Sequence, residues 1–207
     1  MFRGNYNFFE YKYNIIGYTG QDFKSIAQMW YLIGSVVLMI ILLFVCRKFS
    51  KEKVLKIIRV ISVFLILFYI GKTTWESIYD IKLTGSFNTG LLPLDSCSII
   101  MLAGIISGFA KRKVRKYSDA WLATGGVVGG IANMIFLNAL KYYPLISFGA
   151  FYSMIWHFLM VFLGLLLITT NYVNTDFDTI KKGLSSNRKG LFNTLSNKNN
   201  NTKENKI

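Results

Sequence analysis

Five stretches of this chain are long and apolar enough to cross a lipid bilayer, and the basic residues fall in alternate gaps between them. A helix needs about 18 or more largely apolar residues to traverse the hydrocarbon core. The stretches run over 29–46, 54–70, 89–110, 120–140 and 145–170. Within the second, Lys56 and Arg59 are the only charges, both close enough to the end to snorkel toward the headgroups. The third carries Pro93 near its start, where a helix tolerates proline, followed by Asp95, Ser96, Cys97 and Ser98. The pattern predicts an all-α fold, a polytopic transmembrane helical bundle of five spans.

The charges orient the bundle. Arg47, Lys48, Lys51, Lys53, Lys56 and Arg59 follow the first span; Lys111, Arg112, Lys113, Arg115 and Lys116 follow the third; Lys181, Lys182, Arg188 and Lys189 follow the fifth. The intervening loops hold Lys72 and Lys82 against Glu76 and Asp80, and then Lys141 alone. Cytoplasmic loops accumulate Lys and Arg near span ends, so the N-terminus is expected outside and the C-terminus inside, in a multi-pass protein of the cell membrane. A net charge of +14 would otherwise suggest nucleic acid. Clusters confined to the gaps between apolar spans are membrane-orientation signals, so the expected partners are membrane lipids and not nucleic acid.

Three regions follow. Residues 1–27 are aromatic and polar, with no basic stretch leading directly into an apolar run and a cleavage site, and suit an interfacial or external segment. Residues 28–171 form the bundle. Residues 172–207 are a basic, Asn- and Lys-rich cytoplasmic tail expected to be disordered. Cys46 and Cys97 are far apart, and His157 is the single histidine, so neither a disulfide framework nor a multi-histidine metal site is expected, and no cofactor is implied.

Ionisable side chains inside a bilayer cost about 2.5 to 3.5 kcal/mol on insertion scales, so each asks for a reason. Asp95 and Cys97 lie toward the outer end of the third span. His157 lies about twelve residues into the fifth, near or just outside the midplane at about 1.5 Å per residue. Both spans run in the same direction, so Cys97 and His157 can meet if those helices are close. His157 shares a helical face with Ala150, Ser153 and Gly164, and Cys97 shares one with Gly104 and Gly108. In the fourth span Gly125, Gly126, Gly129 and Gly130 make two interleaved pairs of small residues on a face that continues to Asn133. Such faces mark close helix packing, within the bundle or in a homo- or hetero-oligomer.

A thiol, an imidazole and a carboxylate are the parts of a nucleophilic acyl-transfer site. His157 is the only imidazole to take a proton from Cys97, and Asp95 could hold its tautomer. Ser96 or Ser98 could serve as nucleophile or contact substrate instead, and Asn133 could orient His157 or a bound polar head. The other reading is a small transporter or accessory subunit, with Asp95 and His157 forming a polar site between helices.

The run Leu92-Pro93-Leu94-Asp95-Ser96-Cys97-Ser98 resembles the Leu-Pro-Leu-x-x-Cys-Ser motif of the YwaF family of bacterial integral membrane proteins. The glycine-rich stretch 125–132, then Tyr143-Pro144 and a span with a single histidine, resembles that family's following segments, so the likeness covers roughly residues 87–170. The resemblance implies kinship with animal membrane acyltransferases that move a fatty acyl chain onto a phospholipid with a cysteine and a histidine. By position these are Cys97 and His157. The chain departs from the pattern at Asp95, where many relatives carry His or Gln, and it ends in a polar tail where relatives tend to have further spans.

Overall fold

A computed structural model describes residues 7–15, 26–85, 96–136 and 138–173 of the 207. The described residues form helices α1 (Ile26–Cys46), α2 (Lys51–Thr84), α3 (Ser96–Phe109), α4 (Arg112–Ile135) and α5 (Phe148–Thr169), with short 3-10 helices at Lys12–Asn14 and Asn138–Lys141. The expected all-helical class is found. Four of the helices are long and apolar enough to cross a membrane. The described part of α3 spans 14 residues, about 21 Å of helix, and the expected beginning of the third span, including Asp95, lies outside the described residues. So does the tail beyond Val173.

Helix α5 is the hub. It is apolar all round, twelve of its 22 residues are buried, and it packs against α1, α2 and α4. Helix α4 also packs against α3, and α3 against α2, so α2 and α4 flank both α3 and α5. Helix α1 leaves Trp30, Ile33, Val36, Val37, Ile40, Ile41 and Phe44 exposed, a surface that in a bilayer faces acyl chains. Its tie to α5 is the Tyr31 hydroxyl, which donates to the Met154 carbonyl at 3.0 Å.

Helix starts obey local chemistry. Ser50 caps α2 by accepting from the Lys53 N–H at 3.4 Å, and Ser147 caps α5 by accepting from the Ala150 N–H at 3.4 Å, just after Pro144. Helix α2 ends at Gly85, whose φ of 71° lies in the left-handed region that glycine adopts freely. The turns at 47–50 and 110–111 lie at one end of the bundle, where Arg59 of α2 donates from Nε to the Gly108 carbonyl of α3 at 2.7 Å. Both described basic clusters therefore gather at that end.

Two boundaries differ from the sequence reading. Helix α2 does not stop near residue 70 but continues to Thr84, about 50 Å in all, so Lys72, Glu76, Asp80 and Lys82 ride on helix instead of a loop. No proline or glycine capable of ending it occurs between Gly71 and Gly85, and Ile78, Ile81 and Leu83 keep an apolar outer face. Helix α4 begins at Arg112, eight residues before the expected start, so the basic cluster forms its first turns and carries Asp119 into the bundle.

Candidate functional site

The α4–α5 contact sets the geometry of the site. A β-carbon at Gly126 would stand 3.1 Å from the Met160 carbonyl oxygen, and one at Gly130 would stand 2.5 Å from Val161 Cγ2 and 3.3 Å from the His157 carbonyl oxygen. Gly164 answers from α5, where a β-carbon would meet Val127 Cγ2 at 2.6 Å and the Leu122 carbonyl oxygen at 2.9 Å. The backbones approach this closely only because these positions lack side chains. Of the two glycine pairs read from the sequence, Gly126 and Gly130 face α5, Gly129 faces Ile100 of α3, and Gly125 meets only Trp121 of its own helix. Gly104 and Gly108 of α3 lie against Ser62 and Arg59 of α2.

That packing holds His157 about nine residues, or about 14 Å, into α5, nearly enclosed. Its Nδ1 lies 2.7 Å from the Ser153 carbonyl oxygen and 3.4 Å from the Ser153 hydroxyl. A carbonyl can only accept, so Nδ1 carries the proton, and in the neutral ring Nε2 presents a lone pair. Cys97 Sγ is 3.7 Å from Nε2. The thiol thus faces the basic nitrogen of a ring whose tautomer is fixed from behind by its own helix.

Asn133 completes the cluster from α4. Its Nδ2 donates to the Gly129 carbonyl at 2.9 Å and to Cys97 Sγ at 3.5 Å, using both amide hydrogens. The first bond sets the direction of the second. A donor aimed at sulfur stabilises the thiolate more than the thiol. On the α2 side, Phe68 packs on Tyr152 with ring centroids 4.7 Å apart, Tyr152 stacks on Trp156 at 5.4 Å, and Tyr69 reaches Trp156 at 5.9 Å. These rings pack α2 against α5.

Cys97, His157 and Asn133, read as candidates from sequence, therefore meet, although α3 and α5 are bridged mainly by α4. Ser98 is buried one residue on from Cys97. Ser96 opens the described part of α3. Asp95, expected to orient the histidine, lies outside the described residues, and the Nδ1 position is filled by Ser153. Asn138 opens the short 3-10 helix that follows α4. Among the described residues no three His, Cys, Asp or Glu side chains converge to hold a metal ion.

Several polar contacts were missed. Ser107 of α3 donates to Asp119 Oδ1 of α4, and the neighbouring Ser118 donates to the Ala103 carbonyl at 2.5 Å, pinning α4 to α3. At the opposite end Tyr11 donates to Asp80 Oδ1 at 2.6 Å and stacks on Tyr79, Tyr143 donates to Glu76 at 3.4 Å, and the Phe148 N–H donates to the Phe8 carbonyl at 2.8 Å. The described N-terminal residues thus cap the end of the bundle. The signal available was the four-residue spacing of Lys72, Glu76 and Asp80, which is helical.

Neither a curated protein nor a solved structure matches the chain. The TMEM164 family model matches residues 23–186, from the start of α1 to beyond α5, and this polytopic membrane protein belongs to the TMEM164 family.

Proposed function

We propose that the protein is a lipid-directed acyltransferase in which Cys97 is the nucleophile and His157 the general base, the reading also implied by the resemblance to the YwaF family. The observation that carries it is the 3.7 Å approach of Cys97 Sγ to His157 Nε2, with Nδ1 already committed to Ser153. A buried thiol is inert unless a base takes its proton, and here the base is within reach.

In the first half-reaction Nε2 takes the thiol proton, and the thiolate attacks the ester carbonyl of an acyl lipid. A C–S bond forms, the ester C–O bond breaks, and the departing alkoxide takes the proton from the imidazolium. The product is a Cys97 thioester and a lysolipid. In the second half, Nε2 takes the proton of an acceptor hydroxyl as its oxygen attacks the thioester carbonyl. The C–S bond breaks and the thiolate recovers the proton. Asn133 supports the thiolate in both halves through the Nδ2 contact. A nucleophile at this depth is reached by an acyl chain that stays within apolar surroundings.

The test is lipid analysis of cells and of purified protein carrying Cys97→Ala or His157→Ala. Acyl remodelling by the wild type that is lost in both variants is expected. Unchanged acyl composition in all three overturns the reading. Solute flux in proteoliposomes that survives Cys97→Ala points instead to a transporter.

A further inference from the structure

Residues 7–15 form a strap across the end of the bundle opposite the basic turns, and it is lightly held. Of these residues only Tyr11 and Ile15 are buried, Tyr11 bonded to Asp80 and Ile15 set among Leu140, Tyr143 and Ala150. The main-chain tie is the Phe8 carbonyl, which accepts from the Phe148 N–H. Phe8, Phe9 and Tyr13 are left 40%, 56% and 70% exposed. A segment with so few buried apolar contacts opens at low cost, and lids over binding sites are drawn from such segments.

What lies under the strap favours its release. Asp80 holds Tyr11, and Glu76, one turn earlier on α2, is bonded to Tyr143 and paired with Lys72 at 2.5 Å. Both carboxylates are almost fully buried. Burying charge is costly even when it is paired, so opening, which returns these groups to water, offsets part of the ring contacts that are lost. Trp75, centred 5.7 Å from Tyr11, has a buried Nε1 hydrogen with no acceptor among the described residues, and water supplies one in the same step.

The strap also stands at the head of a path to the thiol. Phe8 meets Phe148 at 6.1 Å, Phe148 meets Phe68 at 6.2 Å, Phe68 packs on Tyr152, and Tyr152 stacks on Trp156, the residue before His157. On α5 this run of rings descends eight residues, about 12 Å. The Tyr152 hydroxyl is within electrostatic reach of both Glu76 and Cys97, and Cys97 itself is only partly buried.

We propose that the strap is a lid over the aqueous mouth of the Cys97 site, latched by Tyr11 on Asp80, and that its closure decides whether the acyl group on Cys97 passes to an acceptor hydroxyl or to water. The inference rests on the acyl-transfer reading for its chemistry, but not for the gating. With the lid open, Nε2 of His157 takes a proton from water as the water oxygen attacks the thioester carbonyl. The C–S bond breaks, the thiolate recovers the proton, and a free fatty acid leaves. Closure excludes water from the intermediate and leaves the acceptor, which arrives through the bilayer, as the only nucleophile.

The test uses the full chain carrying Cys46→Ala in proteoliposomes, with labelling of Cys97 followed by peptide mass spectrometry. A charged maleimide supplied on both faces reaches Cys97 only through water, whereas N-ethylmaleimide also enters through the bilayer. Tyr11→Phe keeps the ring and removes the latch. It raises the charged-reagent rate about tenfold or more, as expected when a minor open state becomes a major one, and leaves the N-ethylmaleimide rate unchanged. Adding Phe8→Cys and Phe148→Cys and oxidising the pair fastens the strap across its main-chain tie and reverses that rise. A charged-reagent rate indifferent to Tyr11→Phe, a rise shared equally by N-ethylmaleimide, or a rise that survives the oxidised pair overturns the proposal. With acyl lipid and acceptor present, Tyr11→Phe also moves product from transferred chain to free fatty acid. Gated labelling in a chain whose wild type transfers no acyl group removes the catalytic reading and leaves the lid standing. Transfer with ungated labelling does the reverse.

Discussion

Cys97 Sγ stands 3.7 Å from His157 Nε2, on the side of the ring opposite the nitrogen that Ser153 holds at 2.7 Å. Two helices far apart in sequence thus place a thiol against a base of fixed tautomer, and α4 sets the spacing between them.

The first prediction concerns thiol reactivity. In a Cys46→Ala background, a membrane-permeant alkylating reagent labels Cys97. His157→Ala slows the labelling by about a hundredfold, the usual scale for loss of a general base. Asn133→Leu slows it less, because the base remains. Labelling rates followed by mass spectrometry decide the order, and a rate indifferent to His157 contradicts the account.

The glycine contacts predict an asymmetric rescue. Gly130→Ala drives a methyl group into the Val161 side chain, and overpacking of this kind costs about 1 to 3 kcal/mol. Trimming the obstacle with Val161→Ala restores most of the loss. Gly164→Ala also meets the Leu122 carbonyl, which no side-chain change removes, so Val127→Ala does not rescue it. Thermal unfolding in detergent of the four single and two double variants measures both cycles.

Alkaline pH separates the capped end from the rest. Burial, followed by the hydrogen bond to Asp80 and that group's charge, pushes the Tyr11 phenol well above its ordinary range. Burial and the Glu76 charge push Tyr143 the same way. A folded-state pKa above the unfolded value means that the native protein holds its proton more tightly. The stabilisation is complete below about pH 10 and declines as pH rises past it. Tyr11→Phe removes part of that decline at a cost of about 1 to 3 kcal/mol at neutral pH, from the donor lost to Asp80. Melting temperatures between pH 8 and 11 for the two proteins give both quantities.

The contact between Ser107 and Asp119 predicts that charge is dispensable there and the acceptor is not. Asp119→Asn keeps an oxygen for the Ser107 hydroxyl and unfolds close to the wild type. Asp119→Ala strands that hydroxyl in a buried site and is destabilised by about 1 to 3 kcal/mol. Thermal unfolding of the two variants distinguishes them.

The helical class and the segregation of charge were legible because a bilayer imposes a length on every crossing segment and excludes charge from its middle. Cys97, His157 and Asn133 stood out because polar groups are rare within such segments. Helix ends were less legible. Reading Lys72, Glu76 and Asp80 as loop residues ignored that a helix can turn its charges inward when tyrosines supply hydrogen bonds. Asp119 was hidden for a related reason: it lies beside a basic cluster that reads as a loop, and its partner Ser107 is a small residue twelve positions earlier. Ser153 was seen only as a small neighbour of His157. Its backbone carbonyl, the group that fixes the ring, has no signature in sequence.

The central claim is that Cys97 carries the acyl group. Intact-mass and peptide mass spectrometry of the full chain, incubated with an acyl-ester phospholipid and quenched before an acceptor is added, tests it most directly. The account predicts an acyl adduct on Cys97, released by neutral hydroxylamine as a thioester is, absent in Cys97→Ser and strongly reduced in His157→Ala. An unmodified Cys97 in a wild-type chain that nevertheless remodels lipid, or an adduct that forms equally well without His157, would contradict it.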